Sequence, residues 1–146
     1  MQMGFWAHVR QWIAAPSLAP SRSLLFMSAF MVFFSVVIAL FKDIPDIRGD
    51  QLHATRTASV RFGVQRVFHS CVWMLHAAYA CALGFVLLTT SGVTRLALLG
   101  LQGAMPWLLQ RRVQETDLQN HASIVGAYMF VWKLFYAQYL LFPLMA

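Results

Sequence analysis

The sequence predicts an all-α protein that crosses a membrane with about four helices, and three observations carry that prediction. Of its 146 residues, 60% are hydrophobic and only 11% are charged, where soluble domains carry about 25% charged residues. The apolar residues gather into runs of membrane-crossing length. The remaining charges gather between those runs, unequally on the two sides.

Residues 1–23 lack the basic start, apolar middle and small-residue cleavage site of a secretory signal. They are also short and aromatic for a transit peptide, despite the Ser/Arg/Pro flavour of Ser17–Ser23. Phe5, Trp6 and Trp12 suit an amphipathic lead-in lying at the membrane interface. Leu24–Phe41 then runs for 18 residues without a charge. A helix rises about 1.5 Å per residue, so about 20 residues cross a hydrocarbon core of about 30 Å. Val67–Thr90 has 24 residues, interrupted by His69 and His76, and Ile124–Met145 has 22, with Lys133 inside. The remaining run, Leu96–Leu109, carries Pro106 and reaches 17 residues only when counted from Val93. It is the weakest of the four spans, predicted at 24–41, 67–90, 93–109 and 124–145. Too little polar sequence remains to solvate these helices as a soluble bundle.

Eleven Lys and Arg against five Asp and Glu leave a net charge of +6. No interleaved basic and aromatic surface of the nucleic-acid kind accompanies it, so the excess reads as loop topology and contact with anionic headgroups. Lys42, Arg48, Arg56, Arg61 and Arg66 precede the second span, and Arg111 and Arg112 precede the fourth. With four spans these loops share a side, opposite Arg10, Arg22 and Arg95. Seven against three puts them on the cytosolic or stromal face. Cys71 and Cys81 fall on different faces of one helix, as buried thiols and not a disulfide. No internal repeat or low-complexity tract is present.

The stretch Lys42–Asp50, KDIPDIRGD, holds three of the four aspartates. Were the helix to continue past Phe41, Asp43, Asp46 and Asp50 would lie within about 60° of one face. Pro45 suits a kink or the first turn of a new helix, and Gly49 loosens its end. Converging carboxylates repel unless a cation lies between them. Hard oxygen ligands suit Mg²⁺, which takes one or two carboxylates plus a substrate phosphate. Arg56, Arg61 and Arg66 then follow as partners for phosphate oxygens. The alternative is a solvated acidic turn that ends the helix. An EF-hand is excluded, since its D-x-D-x-D-G core and distal Glu are missing.

Three blocks, FFSVVIALFKDIPDIRGD at Phe33–Asp50, SVRFG at Ser59–Gly63 and YMFVWKLFYAQYLLFP at Tyr128–Pro143, resemble plant homogentisate prenyltransferases. These are UbiA-type intramembrane aromatic prenyltransferases of vitamin E synthesis. The likeness runs from about Phe5 to the C-terminus and covers the C-terminal part of a nine-helix bundle, with Met1 just before the sixth helix. It implies a plastid membrane enzyme that transfers a phytyl or geranylgeranyl group from its diphosphate to homogentisate, with loss of CO₂. It further implies Asp43, Asp46 and Asp50 as Mg²⁺ ligands, and Lys42, Arg56 and Arg61 as diphosphate contacts, Arg61 best placed because it lies within SVRFG. The family's first aspartate motif, N-x-x-x-D-x-x-x-D, is absent, so a truncated chain inactive on its own is expected. Arg48, His53, Ala54 and Gln138 depart from the pattern, which expects an acidic residue, an aromatic, a glycine and a glutamate there.

Lys133 inside a span costs about 2.5–3.5 kcal/mol on insertion scales, so it either faces the cavity or pairs with a neighbouring helix. Trp132, Phe135, Tyr136 and Tyr139 form a stripe that suits packing and interfacial anchoring better than a cation-stabilising wall, with Tyr136 a possible cavity residue. His69 and His76 share a face, but haem across a bundle needs a histidine on a second span, and none has one. Other readings of the chain are a flavonoid or coumarin prenyltransferase, a non-catalytic truncated paralogue, or a small haem- or quinone-associated membrane subunit.

Overall fold

Helix α1, Arg22–Lys42, takes up the charge-free run and buries Phe30, Phe34, Val37, Ile38 and Phe41. That three-and-four spacing is one helical stripe. The computed structural model describes residues 22–47, 52–53 and 56–145, with side-chain surroundings as far as residue 142. α1 ends at Lys42, and Asp43–Asp46 form a turn. There Ile44 N–H donates to the Phe41 carbonyl at 3.2 Å, and the Ile44 side chain is buried. Pro45 follows, which has no N–H to continue the helix. The uninterrupted helix through Asp50, on which a common carboxylate face depended, therefore does not form.

A short helix, α2 (Ala58–Phe62), leads through Gly63 into α3 (Val64–Thr89). Gly63 has φ +88° and ψ 148°, a backbone state essentially reserved for glycine. It breaks the chain for one residue while its N–H still reaches the Ser59 carbonyl at 3.0 Å. Two residues, Thr90 and Ser91, then reverse the chain into α4 (Gly92–Gln114). The link to α5 (His121–Met145) is wired by side chains. Asp117 Oδ1 accepts from Gln119 N–H at 2.9 Å, and Asn120 Oδ1 accepts from Ala122 N–H at 3.0 Å, capping α5.

The four long helices cover the four predicted segments, and each packs on two neighbours: α1 on α3 and α5, α4 on α3 and α5. Short reversals join α3 to α4 and α4 to α5, as in an up-and-down bundle. Aromatic rings fill the seam of α1 with its neighbours. Phe26 stacks on Phe85 at 4.1 Å, Phe34 meets Phe135 at 5.6 Å, Phe30 meets Phe142 at 5.5 Å edge-on, and Phe41 meets Phe68 at 5.3 Å. The outer surface is also apolar, with Val32, Val36, Trp73, Leu88 and Leu140 exposed, as lipid contact requires.

Among the described residues three helices, α1, α3 and α5 through Phe142, are long and apolar enough to cross a membrane. The expected fourth, α4, has the length at 23 residues but not the apolarity. Arg95, Gln102, Pro106, Gln110, Arg111 and Arg112 dilute it. The two cysteines are unpaired, as expected; Cys71 is buried, whereas Cys81 is exposed on the outer face of α3.

Candidate diphosphate and metal site

The aspartate turn hangs from the end of α1. Asp43 is half-buried and Asp46 exposed, with exposed Lys42 just before them. Ile44 is the anchor, because its burial fixes the turn against the bundle while its two acidic neighbours stay outside the core. Asp50 lies outside the described residues. The described residues bring together no group of three or more His, Cys, Asp or Glu side chains that could hold a metal ion. Two carboxylates three residues apart nonetheless match what Mg²⁺ takes from protein when a phosphate completes its shell.

α1, α2 and α3 line an open apolar groove of about 310 Å³, reached from α1 by Leu40, two residues before Lys42. Leu40, Ala58, Phe62, Val67 and Cys71 line it, and Arg66 contributes a guanidinium. A second recess, of about 390 Å³, is lined by Arg56, Val60 and Arg61. Both arginines are exposed, and the Arg61 guanidinium lies 5.4 Å from the centre of the Phe62 ring. That contact orients a long cationic side chain without consuming its hydrogen-bond donors. Gly63 sets the angle between α2, which carries Arg61, and α3, which carries Arg66. The apolar groove had no counterpart in the sequence reading, although Val67, Ser70 and Cys71 follow helical spacing. Its α1 wall, Leu40, is set by tertiary packing.

Lys133 and Tyr136 lie elsewhere. Both are exposed on α5, at mid-helix, with Tyr136 stacked on Trp132 at 5.7 Å. Within the described residues they do not line either recess. Gln138, by contrast, is fully buried, and neither its Oε1 nor its Nε2 has a hydrogen-bond partner.

The family model described as the UbiA prenyltransferase family matches residues 1–134. The chain belongs to the UbiA prenyltransferase family. Among curated proteins, this UbiA chain is 42% identical over 145 residues to homogentisate phytyltransferase 1, chloroplastic, of Arabidopsis thaliana, covering 98% of this chain and 36% of that protein. It is 40% identical over 143 residues to homogentisate geranylgeranyltransferase of Hordeum vulgare, covering 98% and 35%. Coumarin 8-geranyltransferase 1, chloroplastic, of Citrus limon is 34% identical over 140 residues, covering 96% and 34%. The chain thus spans about a third of the length of the curated relatives it matches. No solved structure matches it.

Proposed function

We propose that this chain forms the second aspartate-motif part of a homogentisate prenyltransferase of the plastid membrane, acting on phytyl or geranylgeranyl diphosphate. The reading is supported by an aspartate turn at the end of α1, the arginines that follow it in the sequence, and an apolar groove between α1, α2 and α3 that Arg66 and, from α1, Leu40 help to line. A prenyl diphosphate has the same two-part chemistry, a dense anion joined to a long hydrocarbon. Lys42, Arg56 and Arg61 hold phosphate oxygens by charge-assisted hydrogen bonds. Arg66 lines the same groove as Leu40, Phe62 and Val67, which take the first isoprene units. Asp43, Asp46 and Asp50 are the metal ligands, and Mg²⁺ bound to them would neutralise the departing diphosphate. The preference for homogentisate rests on the 40–42% identity to the barley and Arabidopsis enzymes, against 34% to the coumarin enzyme.

The test is Asp46→Asn in a complete enzyme that contains this segment. Turnover with homogentisate and geranylgeranyl diphosphate should fall by about two or more orders of magnitude, since leaving-group neutralisation is a main source of rate. Near-normal turnover would leave the turn as a solvated helix end.

A further inference from the structure

Away from the proposed diphosphate site, α3 and α4 line a groove of about 230 Å³, with Trp73 on its α3 wall and Gln110 and Val113 on its α4 wall. Trp73 is 74% exposed, so the groove opens to the outside of the bundle and not to its core. The reversal at Thr90–Ser91 makes α3 and α4 antiparallel, so the start of α3 and the end of α4 share a membrane side. On α4 the buried Leu98, Gln102 and Leu109 mark the inward face. At 3.6 residues per turn, Gln110 turns about 100° away from Leu109, Trp107 about 60° further and Arg111 about 100° beyond Gln110. Trp107 and Arg111 therefore form the outer rim of the groove. Trp107 is 57% exposed, and the Arg111 guanidinium lies 5.1 Å from the centre of its ring. Glu115 pairs with Arg112 at 3.8 Å, and among the described residues no carboxylate pairs with Arg111. A guanidinium stacked on a ring keeps its N–H donors for another partner.

Depth along the helices selects the ligand. Trp73 stands nine residues into α3, and Trp107 seven residues before the end of α4. Both indoles are thus about 10–14 Å from the helix ends, in one layer, with Arg111 about 6 Å nearer the end than Trp107. Exposed indoles at such a depth sit where lipid headgroups give way to acyl chains. A cation above, two indoles below it and a groove between the helices complement an amphiphile with an anionic head. A soluble anion would leave the indoles and the groove unused, and a neutral lipid would leave the Arg111 charge unmatched. We infer that the α3–α4 groove seats one anionic phospholipid of the surrounding bilayer. Arg111 and the Gln110 amide donate to its phosphate, and the start of one acyl chain lies against Trp73 and Val113. The groove takes part of one chain, and the rest stays in the bilayer. The inference uses this groove and its rim alone and stands or falls independently of the transferase reading.

The test is quenching of tryptophan fluorescence by lipids brominated on the acyl chain. The full chain is reconstituted in phosphatidylcholine bilayers, with Trp6, Trp12 and Trp132 replaced by phenylalanine so that Trp73 and Trp107 report alone. A minor fraction of the lipid is brominated phosphatidylglycerol in one sample and brominated phosphatidylcholine in the other. The anionic lipid should occupy the site about fivefold more readily, the scale of one arginine at an anionic surface. Arg111→Gln should remove that preference. Arg111→Gln/Gln119→Arg returns the charge to the same membrane side through the α4–α5 loop, and it should not restore the preference. Equal quenching by the two lipids, or a preference that survives Arg111→Gln, would overturn the proposal. So would a preference restored by Gln119→Arg, which would reveal diffuse surface charge and no seat. Displacement of the brominated lipid by soluble glycerol phosphate would overturn the lipid assignment in favour of a free anion. The comparison of the two lipids is made with the groove and its rim unaltered, so it does not depend on how the arginine variants fold.

Discussion

Asp43 and Asp46 show why a residue's chemistry is legible earlier than its setting. Their charge, their clustering and the basic residues after them could be read directly. Their common helix face could not, because it needed α1 to continue, and the hydrogen bond from Ile44 to Phe41 closes the helix first. Gly63 gives a cleaner case. A Cβ built there meets nothing within 4 Å, so crowding contributes no penalty and the backbone alone decides. Gly63→Ala should destabilise the chain by about 1–3 kcal/mol, the cost of holding an alanine in that region. Reversible unfolding in mixed micelles, followed by helix content, measures it. Gln138 should behave in the opposite way. Its buried amide lacks any hydrogen-bond partner, and removing an unsatisfied polar group costs little or gains stability. Gln138→Leu should be neutral to about 1 kcal/mol more stable in the same assay, and a marked loss would mean that the amide has a partner in the membrane.

Hydropathy located the four long helices, because lipid demands that backbone groups be satisfied within continuous apolar helices. Their ends were less legible. α3 begins at Val64 and not Val67 because Gln65 and Arg66 extend it beyond the apolar run, and α4 extends through Arg111 and Arg112 to Gln114. α2 was invisible to hydropathy, being five residues long and set off by one glycine. α4 is also the element on which topology turns, since its apolarity falls short of the other three. If it crosses the membrane, the aspartate-bearing segment and the α4–α5 loop lie on one side. Cysteines placed at Gln51 and Gln114, with Cys71 and Cys81 replaced by alanine, should then react with an impermeant maleimide from the same face. Labelling from opposite faces would mean that α4 does not span.

On the scale of the whole molecule, the sequence supplies one aspartate motif and the proposed chemistry uses two. Diphosphate departure needs positive charge around the phosphates, and transfer needs the aromatic ring held in line. Residues 1–146 alone, in membranes with Mg²⁺, homogentisate and geranylgeranyl diphosphate, should form no prenylated product above an Asp43→Asn/Asp46→Asn control. Binding needs less than turnover. The turn, the arginines and the groove are all contained in this chain, and their joint action on one ligand is the central claim. The most direct measurement is therefore the affinity of the nanodisc-embedded chain for geranylgeranyl diphosphate with and without Mg²⁺. The metal should tighten binding about tenfold or more, the scale of one or two charge-assisted contacts, and Asp43→Asn/Asp46→Asn should abolish that gain while metal-free binding persists through the arginines and the groove. Equal affinity with and without Mg²⁺, or a gain that survives the double substitution, would contradict the account.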